Sequence, residues 1–274
     1  SAQADPNPTT GIRRLLKPCL LALVNAALRC RGTKLPGYFH LGDRVSYLVH
    51  GLEPSLTRVA GSILRLGDTA VDVGANVGFL AREFASLVGR QGRVFAFEPD
   101  PSTFECLAFN TRKFPQVQLS ELALSDRNES TTLYLHPISG MSNSLVNAWE
   151  NARPLEVRTS TFDAWVAATQ PGDISLVKID VEGAEAHVLR GMAGTLAEQP
   201  DLQIIMEFCP KNLGRKQAEE EIFSILHGCG HRVSVITSTG ALQAVEGPAE
   251  VHSALNENDY ANLLSRREAP ESHP

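Results

Sequence analysis

The sequence predicts an α/β fold, a seven-stranded and mostly parallel sheet with helices on both faces. Three observations predict it. Short apolar runs at 70–73, 94–97, 117–124, 174–179 and 202–206 alternate with stretches of helical period, as repeated strand–helix–strand units require. Three of these runs stop at a carboxylate, Glu98, Asp180 or Glu207, so acids gather where parallel strands end together. The chain then finishes in a hairpin, with strand-like runs 232–236 and 241–245 joined by Thr237-Ser238-Thr239-Gly240. At 274 residues, 43% hydrophobic and 20% charged, the chain can bury a sizeable core as one globular domain. A net charge of −6 argues against a nucleic-acid binder that relies on a broad basic surface. The five cysteines are widely spaced and include no C-x-x-C pair, which gives neither a disulfide framework nor a zinc ribbon. A reducing, cytoplasmic setting is expected.

In chain order, residues 1–10 are polar and proline-rich and are expected to be disordered. The start at Ser1 rather than methionine is consistent with processing. Residues 12–28 are apolar and helix-forming, with Arg13, Arg14, Lys17, Arg29, Arg31 and Lys34 around them and no acid between. The uninterrupted apolar part, 19–28, is too short to span a bilayer. Two readings stand for it: a helix that caps the core, which the usual use of apolar faces favours, or a peripheral membrane contact through 12–34. A helical run at 56–66 closes at Gly67-Asp68, and 102–114 is a further helix. Strand-like runs 131–135 and 155–158 flank a polar loop, Gly140-Met141-Ser142-Asn143-Ser144-Leu145, long enough to be functional. Helices at 162–168, 184–190 and about 217–227 complete the alternation. His227-Gly228-Cys229-Gly230-His231 reads as a turn rather than a metal site.

The chemistry begins at residues 69–100. An apolar strand meets a turn, Gly74-Ala75-Asn76-Val77-Gly78, and helical periodicity follows through Phe79, Leu80, Phe84 and Leu87. Glycines let backbone approach a ligand, and the free N–H groups of the helix start face the same place. Glu98 lies about 20 residues past the turn, where an acid reaches the two hydroxyls of a ribose. The turn lacks the G-x-G-x-x-G that admits a pyrophosphate, and Asp72 stands just before it. An anion there suits a cation better than a phosphate. S-adenosylmethionine has an adenosine for Glu98, an ammonium for Asp72, and no phosphate. A plain packing turn, a nicotinamide-dependent oxidoreductase and a non-catalytic cofactor-binding module are the rival readings.

With these residues in view, the chain resembles the FkbM family of S-adenosylmethionine-dependent methyltransferases. The resemblance rests on Glu53-Pro54, VDVGANVGF at 71–79, FAFEPDP at 95–101, ALSD at 123–126, SNSL at 142–145, TSTFDAW at 159–165, LVKIDVEGAEAHVLRGM at 176–192 and IIMEFCP at 204–210. It implies a class I, Rossmann-like methyltransferase occupying 43–265, with 1–42 as tail and amphipathic helix and 266–274 as a disordered tail. It also implies methyl transfer to a hydroxyl of a sugar, glycolipid or polyketide-type product, with S-adenosylhomocysteine as the second product. The cofactor set expected on these grounds is Glu53, Asp72, Gly74, Ala75, Asn76, Gly78, Glu98, Pro99, Ala123, Ser125 and Asp180.

An alcohol is a poor nucleophile, so a base must take its proton as the new bond forms. Lys178-Ile179-Asp180-Val181-Glu182 is the richest place to look, because alternate side chains of a strand share a face. Asp180 is the leading candidate for the base or for positioning the donor, with Lys178, Glu207 and His187 beside it. A purely structural charge network is the alternative. Ser142, Asn143, Ser144 and Glu182 are the candidate acceptor contacts. The acids could together bind a hard cation, but no ligand spacing in the sequence is decisive and no metal is expected.

Overall fold

The computed structural model describes residues 8–37, 39–49, 54–136, 143–146, 150–214, 216–257 and 259–267. Three helices come first, α1 (Pro8–Cys30), α2 (Leu41–Val49) and α3 (Pro54–Ile63). The central unit follows as β1 (Thr69–Val73), α4 (Phe79–Val88), β2 (Arg93–Phe97), α5 (Pro101–Thr111) and β3 (Val117–Ser120). β1 is buried along its whole length, which explains its unbroken apolar reading apart from Asp72. α4 stops at Gly89, whose φ of 67° sits in the left-handed region that glycine tolerates. α5 is fixed at its start by Asp100, which accepts from Ser102 N–H, and by Pro101 in the first turn.

The single third strand expected over 117–124 is two strands. β3 can pair with β2 only as far as Phe97↔Ser120, because β2 ends there. The chain then turns, and β4 (Ala123–Ser125) joins β5 (Ser130–Leu135) and β6 (Arg153–Thr161) in a separate sheet ordered β4-β6-β5. The second half runs through α6 (Phe162–Thr169), β7 (Leu176–Ile179), α7 (Glu185–Gly191), α8 (Ala193–Glu198), β8 (Gln203–Phe208), α9 (Pro210–Leu213) and α10 (Lys216–Gly228). β9 (His231–Ile236), β10 (Leu242–Val245), α11 (Pro248–His252) and β11 (Ala261–Arg267) end the described chain.

The main sheet has eight strands, β10-β9-β11-β8-β7-β1-β2-β3, rather than the seven expected. The expected hairpin is present as β9 and β10, and the eighth strand is β11, inserted antiparallel between β8 and β9. β11 escapes sequence reading because its first five residues are all buried and show no polar alternation. The five strands β8, β7, β1, β2 and β3 are parallel. The chain runs outward from β1 to β2 and β3 on one side and to β7 and β8 on the other. The crevice at the carboxyl ends of β1 and β7 is therefore the topological switch point, where open α/β sheets bind ligands.

Two apolar layers cover the sheet. Val71, Val73, Val177, Ile179 and Met206 pack with helix residues such as Leu189 and Phe223 on one face. Ala70, Ala96, Leu176 and Ile205 pack with Leu56, Phe84 and Val88 on the other. A smaller cluster seats α1 on the rest of the molecule through Val24, Leu28, Leu35, Phe39, Val77 and Cys106.

Candidate active site

Strand register brings the charged residues together. Asp72 pairs with Lys178, and Lys178 with Ile205, so these three share the face that packs against α4. Asp180 and Glu207 lie two residues further along β7 and β8, on that same side and at the open ends of the strands. The result is an acidic cleft lined by Asp72, Lys178, Asp180, Glu182 and Glu207 together with Ala75, Asn76, Val77, Phe79 and Leu80. Lys178 donates from Nζ to Asp180 Oδ2 at 2.8 Å. Burial opposes the charge on Lys178, but Asp180, Asp72 and Glu207 together outweigh it and hold the ammonium above its usual range.

Asp72 is fully buried, and neither carboxylate oxygen meets a hydrogen-bond donor at bonding geometry among the described residues. Burial raises its pKa to about 6 against the pull of Lys178. Glu182 and Glu207 are pushed well above the ordinary carboxylate range, first by burial and then by the charge of Asp180. Four carboxylates around one ammonium leave the cavity short of positive charge. Asp180, Glu182 and Glu207 each offer an oxygen within 4.8 Å of one another, and this is the grouping of metal-ligand spacing among the described residues.

A second cavity shares Gly74, Asn76, Asp180 and Glu182 with the first and extends along the other side of the turn. Its walls are mostly apolar, with Phe97, Leu122, Leu124, Leu133 and Leu145 among them, and Glu98 and Pro99 lie at its edge. Glu98 accepts from Asn76 N–H at 3.0 Å and from Asp100 N–H at 2.9 Å, one bond on each oxygen. Each oxygen keeps a further lone pair for a donor. Burial lifts the Glu98 pKa to about 8 in spite of these two bonds.

The turn between the cavities requires its glycines. Gly74 has φ 78° and would place a Cβ 1.9 Å from the Asp180 carbonyl oxygen, and Gly78 has φ 86° with Leu107 Cδ1 2.6 Å away. Asn76 holds φ 49° and accepts from Val77 N–H with its own side chain, the local bond that lets asparagine occupy such a conformation. Beyond β7, Glu182 (φ 55°) and Gly183 (φ 101°) turn the chain into α7. Glu185 secures that turn by accepting from Val181 N–H and Gly183 N–H, and burial raises its pKa to about 7.

The structure thus brings Asp72, Gly74, Ala75, Asn76, Glu98, Pro99, Ala123, Asn143, Lys178, Asp180, Glu182 and Glu207 to the two cavities. Gly78 shapes the turn from behind. Glu53 and Ser142 lie outside the described residues. Three expected residues are not brought to the cleft. Ser125 directs its hydroxyl to Asp126. His187 sits on the outer side of α7, 44% exposed, with Nδ1 3.3 Å from Asp126 Oδ1. Ser144 is held in a bridge to Tyr134 and uses its Oγ to accept from Val146 N–H. Among the described loop residues, Asn143 reaches the site beside Leu145, accepting from His136 N–H and donating to Asp100. Sequence reading missed Glu185 and the apolar wall. The wall comes from loops and from the small sheet, and only the position of Glu185 three residues past Glu182 could have signalled its capping role.

Residues 72–233, more than half of the chain, match the methyltransferase FkbM domain. The fold and the switch-point cleft define the class I methyltransferase architecture, and the chain belongs to the FkbM methyltransferase family. The 2-O-methyltransferase NoeI of Sinorhizobium fredii is 30% identical over 155 residues, 50% of this chain and 63% of that one. The hexuronic acid methyltransferase AglP of Haloferax volcanii is 30% identical over 130 residues, 47% of this chain and 52% of that one. The chain thus matches between about half and two thirds of the length of these curated relatives. Among solved structures, a candidate O-methyltransferase from Klebsiella pneumoniae aligns over 93% of this chain and all of its own with a TM-score of 0.50 at 11% identity, a likeness of fold.

The methyl donor of this family is S-adenosylmethionine, and the residues present suit it. An orphaned buried carboxylate at Asp72 matches its ammonium, the apolar cavity matches a purine, and Glu98 has acceptor sites left for a ribose diol. Binding through the Glu98 carboxylate requires loss of its proton. Affinity for S-adenosylhomocysteine should therefore rise with pH toward about 8 and then level, approaching tenfold per unit on the steep part. In Glu98→Gln the slope should flatten and affinity should fall roughly tenfold to a hundredfold, as loss of charge-assisted hydrogen bonds implies. Calorimetry across the pH range reads both. Stability without ligand should run the other way. Glu98, Glu185 and Asp72 have folded pKa values above their unfolded ones, so the folded state binds more protons, and melting temperature should fall as pH rises from about 4.5 to about 8.

Proposed function

We propose that this protein transfers a methyl group from S-adenosylmethionine to a hydroxyl of a sugar or other polyhydroxylated acceptor. The observation that carries the reading is the divided cleft, apolar on the Glu98 side and acidic on the Asp180 side, with the glycine turn between them. The names of the two relatives, a 2-O-methyltransferase and a hexuronic acid methyltransferase, support a sugar hydroxyl as acceptor. A dinucleotide's pyrophosphate would face Asp72, Asp180, Glu182 and Glu207, which weighs against the oxidoreductase reading.

When bound, S-adenosylmethionine supplies a methyl carbon on a sulfonium, open to in-line displacement. Glu98 and the apolar wall hold the adenosine end, and Asp72 the ammonium end. Asp180, fixed by Lys178, stands at the junction of the cavities, where both ligands must meet. Glu207 takes the hydroxyl proton on its carboxylate. It enters no side-chain hydrogen bond among the described residues, and its raised pKa brings its basicity nearer to that of the task. Asn143 and Glu182 orient the acceptor from the rim.

Transfer of labelled methyl from S-adenosylmethionine to a panel of mono- and oligosaccharides tests the reading. Label in an alkali-stable ether on sugars is the expected result. Label confined to amines, carboxylates or nucleic acid, or none on any sugar, would remove the proposed acceptor class.

A further inference from the structure

We propose that the outward face of α1 is a docking surface for an anionic membrane. The inference goes beyond the catalytic reading and does not depend on it. A helix on a water-soluble surface normally turns charged residues outward. From position 18 to position 28, α1 turns outward only Pro18, Cys19, Leu20, Ala22, Leu23 and Ala26, all of them uncharged and apolar. Its opposite side is already used, since Val24 and Leu28 are buried against Leu35, Phe39, Val77 and Cys106. The helix therefore has two apolar faces, and packing within the chain consumes one.

Leu20, Leu23 and Phe109 are 47%, 68% and 41% exposed, three of the five large apolar side chains that stand exposed among the described residues. Phe109 lies apart from Leu20 and Leu23, in a groove that it lines with Asn25, Leu28, Arg29 and Lys34 on the flank of α1. Cations cluster at its C-terminal end. Arg29, Arg31, Arg112 and Lys113 are exposed, and the Arg112 guanidinium lies 3.7 Å over the Phe109 ring. From residue 6 to residue 42 the sequence has six Lys or Arg and no acid, although the whole chain carries −6. Glu105, an acid on the same helix as Phe109, is bonded to Lys34.

An apolar strip edged by cations is the chemistry of a helix lying in the interface of an anionic bilayer. No helix among the described residues is long and apolar enough to cross one. A second copy of the chain is a poorer occupant, because an isologous contact would set this cationic rim against itself. The placement also has a consequence for access. Val77 and Phe79, which pack with the buried side of α1, also line the acidic cavity, so the cleft lies behind α1 as seen from the docking face.

The test is co-sedimentation of the full chain with vesicles of phosphatidylcholine alone or with about one third phosphatidylglycerol. Binding to the anionic vesicles, weakened by salt and absent with phosphatidylcholine alone, is expected. The exposed pair Leu20→Asp and Leu23→Asp should abolish it while melting temperature and S-adenosylhomocysteine binding stay unchanged. Arg29→Gln should weaken it roughly fivefold, the worth of one cation at such a surface. Absence of binding to anionic vesicles, or equal binding by the Leu→Asp pair, would overturn the proposal. So would a concentration-dependent dimer that the pair dissolves while vesicles stay unbound, which would assign the face to a second copy.

Discussion

Gly74→Ala is expected to abolish cofactor binding and to lower the melting temperature by roughly 10 °C, the loss that about 3–5 kcal/mol implies for a chain of this size. Two costs coincide at this position. The backbone sits at φ 78°, where a Cβ is strained whatever the surrounding space. The added carbon would also lie 1.9 Å from the Asp180 carbonyl oxygen, a backbone atom that no side-chain rotation can remove. Relief requires the β1 turn and the end of β7 to move apart, which opens the crevice where both cavities meet. Gly228→Ala is the matching control, with nothing within 4 Å of its Cβ and no left-handed φ, and should shift stability by less than about 0.5 kcal/mol. Thermal melts with and without S-adenosylhomocysteine separate the two variants. Wild-type stability and binding in Gly74→Ala would show that the turn relaxes independently of β7.

The part of the site that was legible in the sequence is the part built from neighbours in the chain. Residues 69–100 carry their own strand, turn, helix and strand signals, and the positions of Asp72, Gly74 and Glu98 follow from them. Asp180 and Glu207 were legible for a related reason, since parallel strands of one sheet end together and an acid closing each one must arrive at the same edge. The apolar wall was not. Leu122, Leu124, Leu133 and Leu145 come from a loop and from the small sheet, whose order β4-β6-β5 depends on pairing Ala123–Ser125 with Thr159–Thr161. No local pattern states that partnership. His187 and Glu185 show the same limit on a finer scale. Both lie near a rich acidic stretch, and which of them faces inward is set by the turn through Glu182 and Gly183, whose left-handed φ values fix the phase of α7. That phase turns Glu185 in to cap the turn and His187 out to Asp126.

Glu207→Gln is expected to lower kcat by about a hundredfold to ten-thousandfold and to leave the affinity for S-adenosylhomocysteine near its wild-type value. The amide keeps the size of the side chain and its place at the end of β8 but can no longer accept a proton at neutral pH. The pH profile distinguishes this role from a structural one. In the wild type, kcat should climb as the Glu207 carboxyl loses its proton, and burial beside Asp180 and Glu182 moves that limb above the ordinary carboxylate range. The limb belongs to the coupled acids as a group, so Asp180→Asn should shift it downward, because removing a neighbouring negative charge lets Glu207 ionise more easily. Asp180→Asn should also weaken cofactor binding, since Asp180 lines both cavities that the cofactor would span, whereas Glu207→Gln leaves Asp72 in place for the ammonium end. The two substitutions thus separate by readout: Glu207→Gln removes the ascending limb and spares binding, and Asp180→Asn moves the limb and impairs binding. If Glu207→Gln keeps both wild-type kcat and the limb, the proton goes elsewhere, and Asp180 becomes the residue that must take it.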